Sequence, residues 1–227
     1  MTDREEILFR YASLQARLNE ASGAWGGVSI LPVTKTVDAE RIRCLSEAGV
    51  KEIGENRVQE AMEKNSLLAE AFSIRIIGRM QTNKAKYVAS FAKSVDSLDR
   101  IELAEALEKA MAKKDRRLET LIEVNIGNDP AKGGIAPEDT MAFLRSLSVY
   151  EHLAVTGLMT VAPIVNEAEE ARGYFKAMRR LFEEARAYNP GIVHLSMGMS
   201  KDCFVAAEEG ATLVRIGSGI FGARVYA

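Results

Sequence analysis

Val28-Ser-Ile-Leu-Pro-Val-Thr-Lys-Thr-Val-Asp-Ala-Glu-Arg-Ile-Arg-Cys-Leu-Ser-Glu-Ala-Gly49 contains one complete strand-and-helix unit. Residues 28–34 form an apolar run of the length of a strand buried on both faces. Residues 38–47 carry apolar side chains at helical spacing, and Gly49 supplies the stop. The unit then recurs. Residues 52–54, 74–77, 94–98, 121–126, 153–159, 192–195 and 212–216 read as further strands. Between them lie helical stretches at 57–68, 83–91, a long one capped by Asp99, and others at 137–147, 167–188 and 201–209. A leading helix over 3–20 has Ile7, Tyr11, Leu14 and Leu18 at three- and four-residue spacing, and Gly23, Gly26 and Gly27 break it. Eight short units in about 190 residues, with no break in composition, favour one closed (β/α)8 barrel of the TIM type over an open doubly wound sheet. The expected organisation is a single domain, residues 1–227, with residues 1–22 as a helix packed on the barrel.

Composition narrows the function. The chain of 227 residues has 30 Lys plus Arg against 32 Asp plus Glu, a net charge of −2 that argues against a nonspecific nucleic-acid binder. Its 47% hydrophobic and 27% charged content excludes a disordered or collagen-like chain. Two cysteines, Cys44 and Cys203, in helical contexts indicate a reduced cytosolic protein. Uncharged stretches at 21–34, 153–166 and 187–200 are broken by Gly or Pro and too short to span a membrane. The acidic start, Met1-Thr-Asp-Arg-Glu-Glu6, is unlike a signal peptide. The expectation is a cytoplasmic monomer with neither nucleic-acid nor membrane partners.

In a barrel the reactive groups lie at the C-terminal ends of the strands, and phosphates sit after strands seven and eight. Lys35 closes the first apolar strand. It reads either as a snorkelling lysine or as a Schiff-base lysine. An ordinary ammonium is neutral only about once in a few thousand molecules at pH 7, so the second role needs a partly desolvated pocket.

Gly217-Ser-Gly-Ile-Phe-Gly222 matches G-x-G-x-x-G in letters but lacks the dinucleotide context, since no strand–helix–strand unit follows. Two readings remain, a phosphate cradle and a Gly-rich turn into a closing helix. His194-Leu-Ser-Met-Gly-Met-Ser200 brings Ser196, Gly198 and Ser200 to the neighbouring loop, where Met197 and Met199 read as wall packing. Arg215, between Val214 and Ile216, is either ion-paired or aimed at a ligand. Glu55 and Asn56 end strand two as pocket groups or as a helix cap. His152 and His194 have no partners at metal-ligand spacing, and Cys203 reads as a small core residue.

Five blocks together resemble the pyridoxal phosphate homeostasis protein family: Val33-Thr-Lys-Thr36, Ile53-Gly-Glu-Asn-Arg-Val-Gln-Glu60, Ile77-Gly-Arg-Met-Gln-Thr-Asn-Lys84, Leu195-Ser-Met-Gly-Met-Ser-Lys-Asp202 and Val214-Arg-Ile-Gly-Ser-Gly-Ile-Phe-Gly222. They fall in family order across almost the whole chain. The resemblance implies a type III fold for pyridoxal 5′-phosphate (PLP), like the N-terminal domain of alanine racemase. It implies that Lys35 holds PLP as a Schiff base and that Arg215 faces the pyridine nitrogen. Ser196, Gly217 and Ser218 would bind the phosphate, and Asn56 would line the pocket.

The implied role is a carrier and buffer of PLP that affects amino-acid and keto-acid balance, with apo PLP-dependent enzymes as recipients. Two departures stand out. Ile74-Arg75 replaces the family's aromatic and histidine, and Gly78-Arg79-Met80 also differs. Both are expected to alter the rim of the pocket and leave the cofactor site intact. The rivals are an amino-acid racemase and a Schiff-base aldolase acting on a phosphorylated sugar. The racemase needs a second base, which in its own family is a tyrosine from another domain. Here the chain offers only Tyr226 near its end. The aldolase needs carboxylates or a second lysine around Lys35.

Overall fold

The computed structural model describes residues 1–222. Eight parallel strands form one sheet: β1 (Ser29–Pro32), β2 (Glu52–Glu55), β3 (Ser73–Ile76), β4 (Ser94–Leu98), β5 (Leu118–Val124), β6 (Leu153–Thr160), β7 (His194–Ser196) and β8 (Leu213–Ile216). Their order, β1-β8-β7-β6-β5-β4-β3-β2, leaves β1 and β2 as the two ends. A parallel bridge between Val33 and Gly54, with the Thr34 N–H donating to the Gly54 carbonyl at 3.0 Å, closes the ring. This is the expected (β/α)8 barrel.

Around it run α1 (Asp3–Ser22), α2 (Ala39–Arg43), α3 (Val58–Leu68), α4 (Ala85–Phe91), α5 (Ile101–Ala112), α6 (Thr140–Ser146), α7 (Arg172–Tyr188), α8 (Cys203–Glu208) and α9 (Ser218–Phe221). Among the described residues no helix is long and apolar enough to cross a membrane.

Helix α1 starts with a capping box, in which the Thr2 hydroxyl accepts from the Glu5 N–H and the Glu5 carboxylate accepts from the Thr2 N–H. It buries Ile7 and Leu18 and lies against α8 and α9. Arg41 of α2 binds Asp3 through two nitrogens, at 2.7 and 2.8 Å, and donates to the Phe221 carbonyl at 2.9 Å. One guanidinium thus joins the start of α1 to the first and last barrel helices. The helix expected over 38–47 splits, because after Arg43 the chain tightens into a 3-10 turn, Cys44–Ala48, ended by Gly49.

The departure at Ile74-Arg75 does not fall on the rim. Arg75 is 1% exposed inside the barrel and bonds Asp96 at 2.9 and 3.1 Å and Glu52 at 3.0 Å, with Glu119 at 3.6 Å. The adjoining cavity of about 260 Å³ is lined by Ser29, Glu52, His194 and Leu213, the first residues of β1, β2, β7 and β8. Arg75 therefore belongs to the floor of the barrel, opposite the strand ends where a barrel keeps its chemistry. Burial and the Arg75 charge hold His194, beside it, below the usual histidine range.

Candidate functional site

Lys35 follows β1 on a turn pinned on both sides. The Thr34 hydroxyl donates to Glu55 Oε1 at 2.5 Å, and the Thr36 N–H donates to Glu60 Oε1 at 2.6 Å. Lys64 of α3 ties these anchors together. Its ammonium donates to the Thr34 carbonyl at 2.5 Å and to Glu55 Oε1 and Glu60 Oε1, both at 2.7 Å. Thr36 adopts φ +63°, a left-handed conformation that a threonine rarely holds unless its surroundings impose it.

Glu55 is fully buried. Burial pushes its carboxyl above the usual range, although the bonds from Lys64 and Thr34 pull it back, and its second oxygen has no hydrogen-bond partner. Burial acts on Glu60 as well, but the bonds from Lys64 and the Thr36 N–H hold it below the usual range. Sequence reasoning missed Lys64. The available signal was its spacing of four residues from Glu60, which reads equally well as an exposed helical ion pair.

A cavity of about 200 Å³ lies between the loops after β1 and β8. Lys35, Thr36, Arg41, Gly217, Ser218 and Phe221 help to line it. Gly217 precedes α9, and its carbonyl accepts from the Ile220 and Phe221 N–H groups, both at 3.0 Å. The earlier N–H groups of such a turn have no acceptor within the helix and are available to an anion. A Cβ at Gly217 would stand 3.2 Å from the Val33 carbonyl oxygen, so glycine keeps the two loops close. The Ser218 hydroxyl faces that of Ser200 at 3.5 Å, which brings the loop after β7 to the same place.

Below this cavity Arg215 is 4% exposed. It donates to Ser196 Oγ and to the Thr160 carbonyl, both at 2.7 Å. Burial lowers its pKa, and the charges of Asp96, Glu123 and Asp202 oppose that fall. The structure thus brings Lys35, Gly217 and Ser218 into one cavity and bonds Ser196 to Arg215. Asn56, half-buried on the bend after β2, is not among the residues lining that cavity.

Sequence reasoning also passed over Glu123. It faces inward near the end of β5, four residues beyond Glu119, whose carboxylate reaches Arg75 inside the barrel. The rim departure is real at Arg79, which is exposed and lies 3.6 Å from the buried carboxylate of Asp99. Cys203 is buried, and burial followed by Asp202 pushes its thiol up to about 11, which makes it an inert core residue. Tyr226 lies outside the described residues. Among the described residues no cluster of His, Cys, Asp or Glu has the makings of a metal site. An amine, a turn of N–H groups and hydroxyls, and a buried guanidinium suit a phosphorylated carbonyl compound held at both ends.

The family model for the alanine racemase N-terminal domain matches residues 10–225. A protein of Aquifex aeolicus (strain VF5) named pyridoxal phosphate homeostasis protein is 43% identical over 199 residues, 87% of this chain and 87% of its own length. The solved structure of PipY from Synechococcus elongatus PCC7942 with PLP bound is similar at TM-score 0.83 and 33% identity, over 95% of this chain and 100% of that one. An alanine racemase from Clostridium difficile 630 is similar at TM-score 0.78 over 97% of this chain and 56% of its own, and at 13% identity the likeness is one of fold.

Proposed function

Since this chain belongs to the pyridoxal phosphate homeostasis protein family, on an alanine racemase-like barrel, we propose that it binds PLP and serves the intracellular balance of that cofactor. Lys35 carries PLP covalently. The Gly217-Ser218 turn, with Ser196 beneath it, takes the phosphate, Arg215 meets the ring nitrogen, and Asn56 bounds the pocket. The observation that carries this reading is that Lys35 and the Gly217-Ser218 turn line one cavity. Bound there, PLP supplies an electrophilic aldehyde and, when its ring nitrogen is protonated, an electron sink.

The protein works as a cytoplasmic monomer, one domain over residues 1–227, and hands PLP to apo enzymes that need it. The PLP-bound form of PipY supports the ligand, and two buried free cysteines suit a reducing compartment. Borohydride reduction of the PLP-loaded protein, followed by peptide mapping, tests the reading. The pyridoxyl mass is expected on the peptide containing Lys35. Finding it only on an exposed lysine such as Lys113 overturns the assignment.

A further inference from the structure

Glu123 is a charged group that the cofactor reading leaves unused. Its Oε2 is buried without a hydrogen-bond partner, and with Asn125, Lys132 and Gly133 it lines a cavity of about 200 Å³ at the mouth of the barrel. The next residue, Val124, accepts the Thr160 hydroxyl at 2.6 Å, and the Thr160 carbonyl accepts Arg215 Nη2 at 2.7 Å. Glu123 and the guanidinium assigned to the ring nitrogen therefore belong to one end of the same interior. An orphaned carboxylate oxygen there has two ways to avoid the cost of burial, which are to hold a proton or to meet a donor.

We propose that Glu123 is a further ligand-facing residue of the PLP site, one that accepts the anionic cofactor when its carboxyl is neutral and repels it when ionised. This rests on the cofactor reading above. The groups that bear on Glu123 come from four sides. Asp99 after β4 disfavours its charge, while Arg215 of β8 and Arg79 after β3 favour it. Lys132, from the loop after β5, shares its cavity and donates to the Ala162 carbonyl at 3.0 Å. Burial is the largest influence, and with Asp99 it pushes Glu123 up to about 7. The proton therefore exchanges in the physiological range. PLP brings a phosphate and a phenolate, so each charge it adds near Glu123 favours the neutral carboxyl further.

The sign follows by linkage. Affinity is full below the titration of Glu123 and falls by up to about tenfold per pH unit above it. A carrier with this residue holds its cargo in a mildly acid medium and yields it as pH rises. The test uses pyridoxine 5′-phosphate, which has the phosphate and ring of PLP but no aldehyde, so Lys35 chemistry does not enter. Its dissociation constant is measured from pH 6 to 8.5 for the wild type and for Glu123→Gln, and the ratio of the two removes the titration of the ligand itself.

The ratio of wild-type to variant constant is expected to climb with pH by about tenfold or more over that range. A ratio constant with pH overturns the proposal. In the wild type alone, the carbon-13 NMR titration of the Glu123 carboxyl is expected to move to higher pH on binding, and an unmoved midpoint also overturns the proposal. A wild type that binds neither PLP nor pyridoxine 5′-phosphate at any pH sinks the cofactor reading itself, a result distinct from parallel profiles.

Discussion

Lys64 decides whether the turn carrying Lys35 is rigid. Its side chain is 9% exposed and its partner Glu55 is 0% exposed, so the pair lies in the interior rather than on a screened surface. Removing one member of a buried pair leaves the other charge uncompensated, at a cost of about 3–5 kcal/mol. Lys64→Met is therefore expected to lower unfolding free energy by that amount at pH 7, measured by urea denaturation. The pH dependence has a definite sign. Glu55 is already pushed up by burial, and without the ammonium its folded pKa rises further above the unfolded value of about 4.3. The variant should therefore be closest to wild type below that unfolded value and lose ground as pH rises through the folded one. A variant as stable as wild type at pH 7 would mean that the cluster clamps nothing.

Of the residues with charged or polar heads, sequence found some of those inside apolar runs. Lys35 and Arg215 stand out because a charge among Val and Ile is anomalous wherever the strand faces. Lys64 sits beside Glu63 on a charged helix. Arg75, by contrast, lies between Ile74 and Ile76 and Glu123 between Ile122 and Val124, so these two carry the same anomaly as Arg215. Only the closed barrel reveals that their side chains point inward, since alternation along one strand does not say which face is the interior.

At the scale of elements, the turn from β8 into α9 is the part most exposed to test. Charge-assisted hydrogen bonds are worth about 1.5–3 kcal/mol each, so a phosphate held by two of them favours PLP over pyridoxal by some two to four orders of magnitude. Ser218→Asp places a carboxylate at that spot. It is expected to weaken PLP binding by about tenfold or more and to leave pyridoxal nearly unchanged, as followed by absorbance titration. Equal losses for both aldehydes would mean that the phosphate lies elsewhere.

The neighbouring loop depends on Gly198, whose φ is +91° and whose carbonyl accepts the Arg215 N–H at 3.0 Å. A Cβ there would stand 2.5 Å from that of Ala206. Gly198→Ala should therefore cost stability through both crowding and backbone strain, visible as a lowered melting temperature. The strand-and-helix alternation was legible because Gly and Pro punctuate it. The ends were less so. Strand β5 begins at Leu118, three residues before the expected start at 121, because Arg116 and Arg117 mask the onset of pairing. Helix α9 spans only Ser218–Phe221, too short to leave a periodic signature.

Across the whole molecule, charge is gathered at the two ends of the barrel interior. At the floor, Arg75 reaches carboxylates from β2, β4 and β5. At the mouth, Arg215 is the guanidinium buried among apolar strand neighbours. That asymmetry bears on whether the protein turns over amino acids. An arginine keeps its proton and donates hydrogen bonds, so Arg215 leaves a ring nitrogen facing it unprotonated, where an aspartate would favour the pyridinium. The electron sink is then shallow, and removal of a substrate α-proton is slow unless two bases flank the carbon. Lys35 supplies one. We therefore expect the PLP-loaded protein to exchange the α-proton of alanine in deuterium oxide far more slowly than an enzyme does, as followed by mass spectrometry. Exchange at about 1 per second or faster, the pace of ordinary enzymes, would overturn the carrier reading and favour an amino-acid racemase on this barrel.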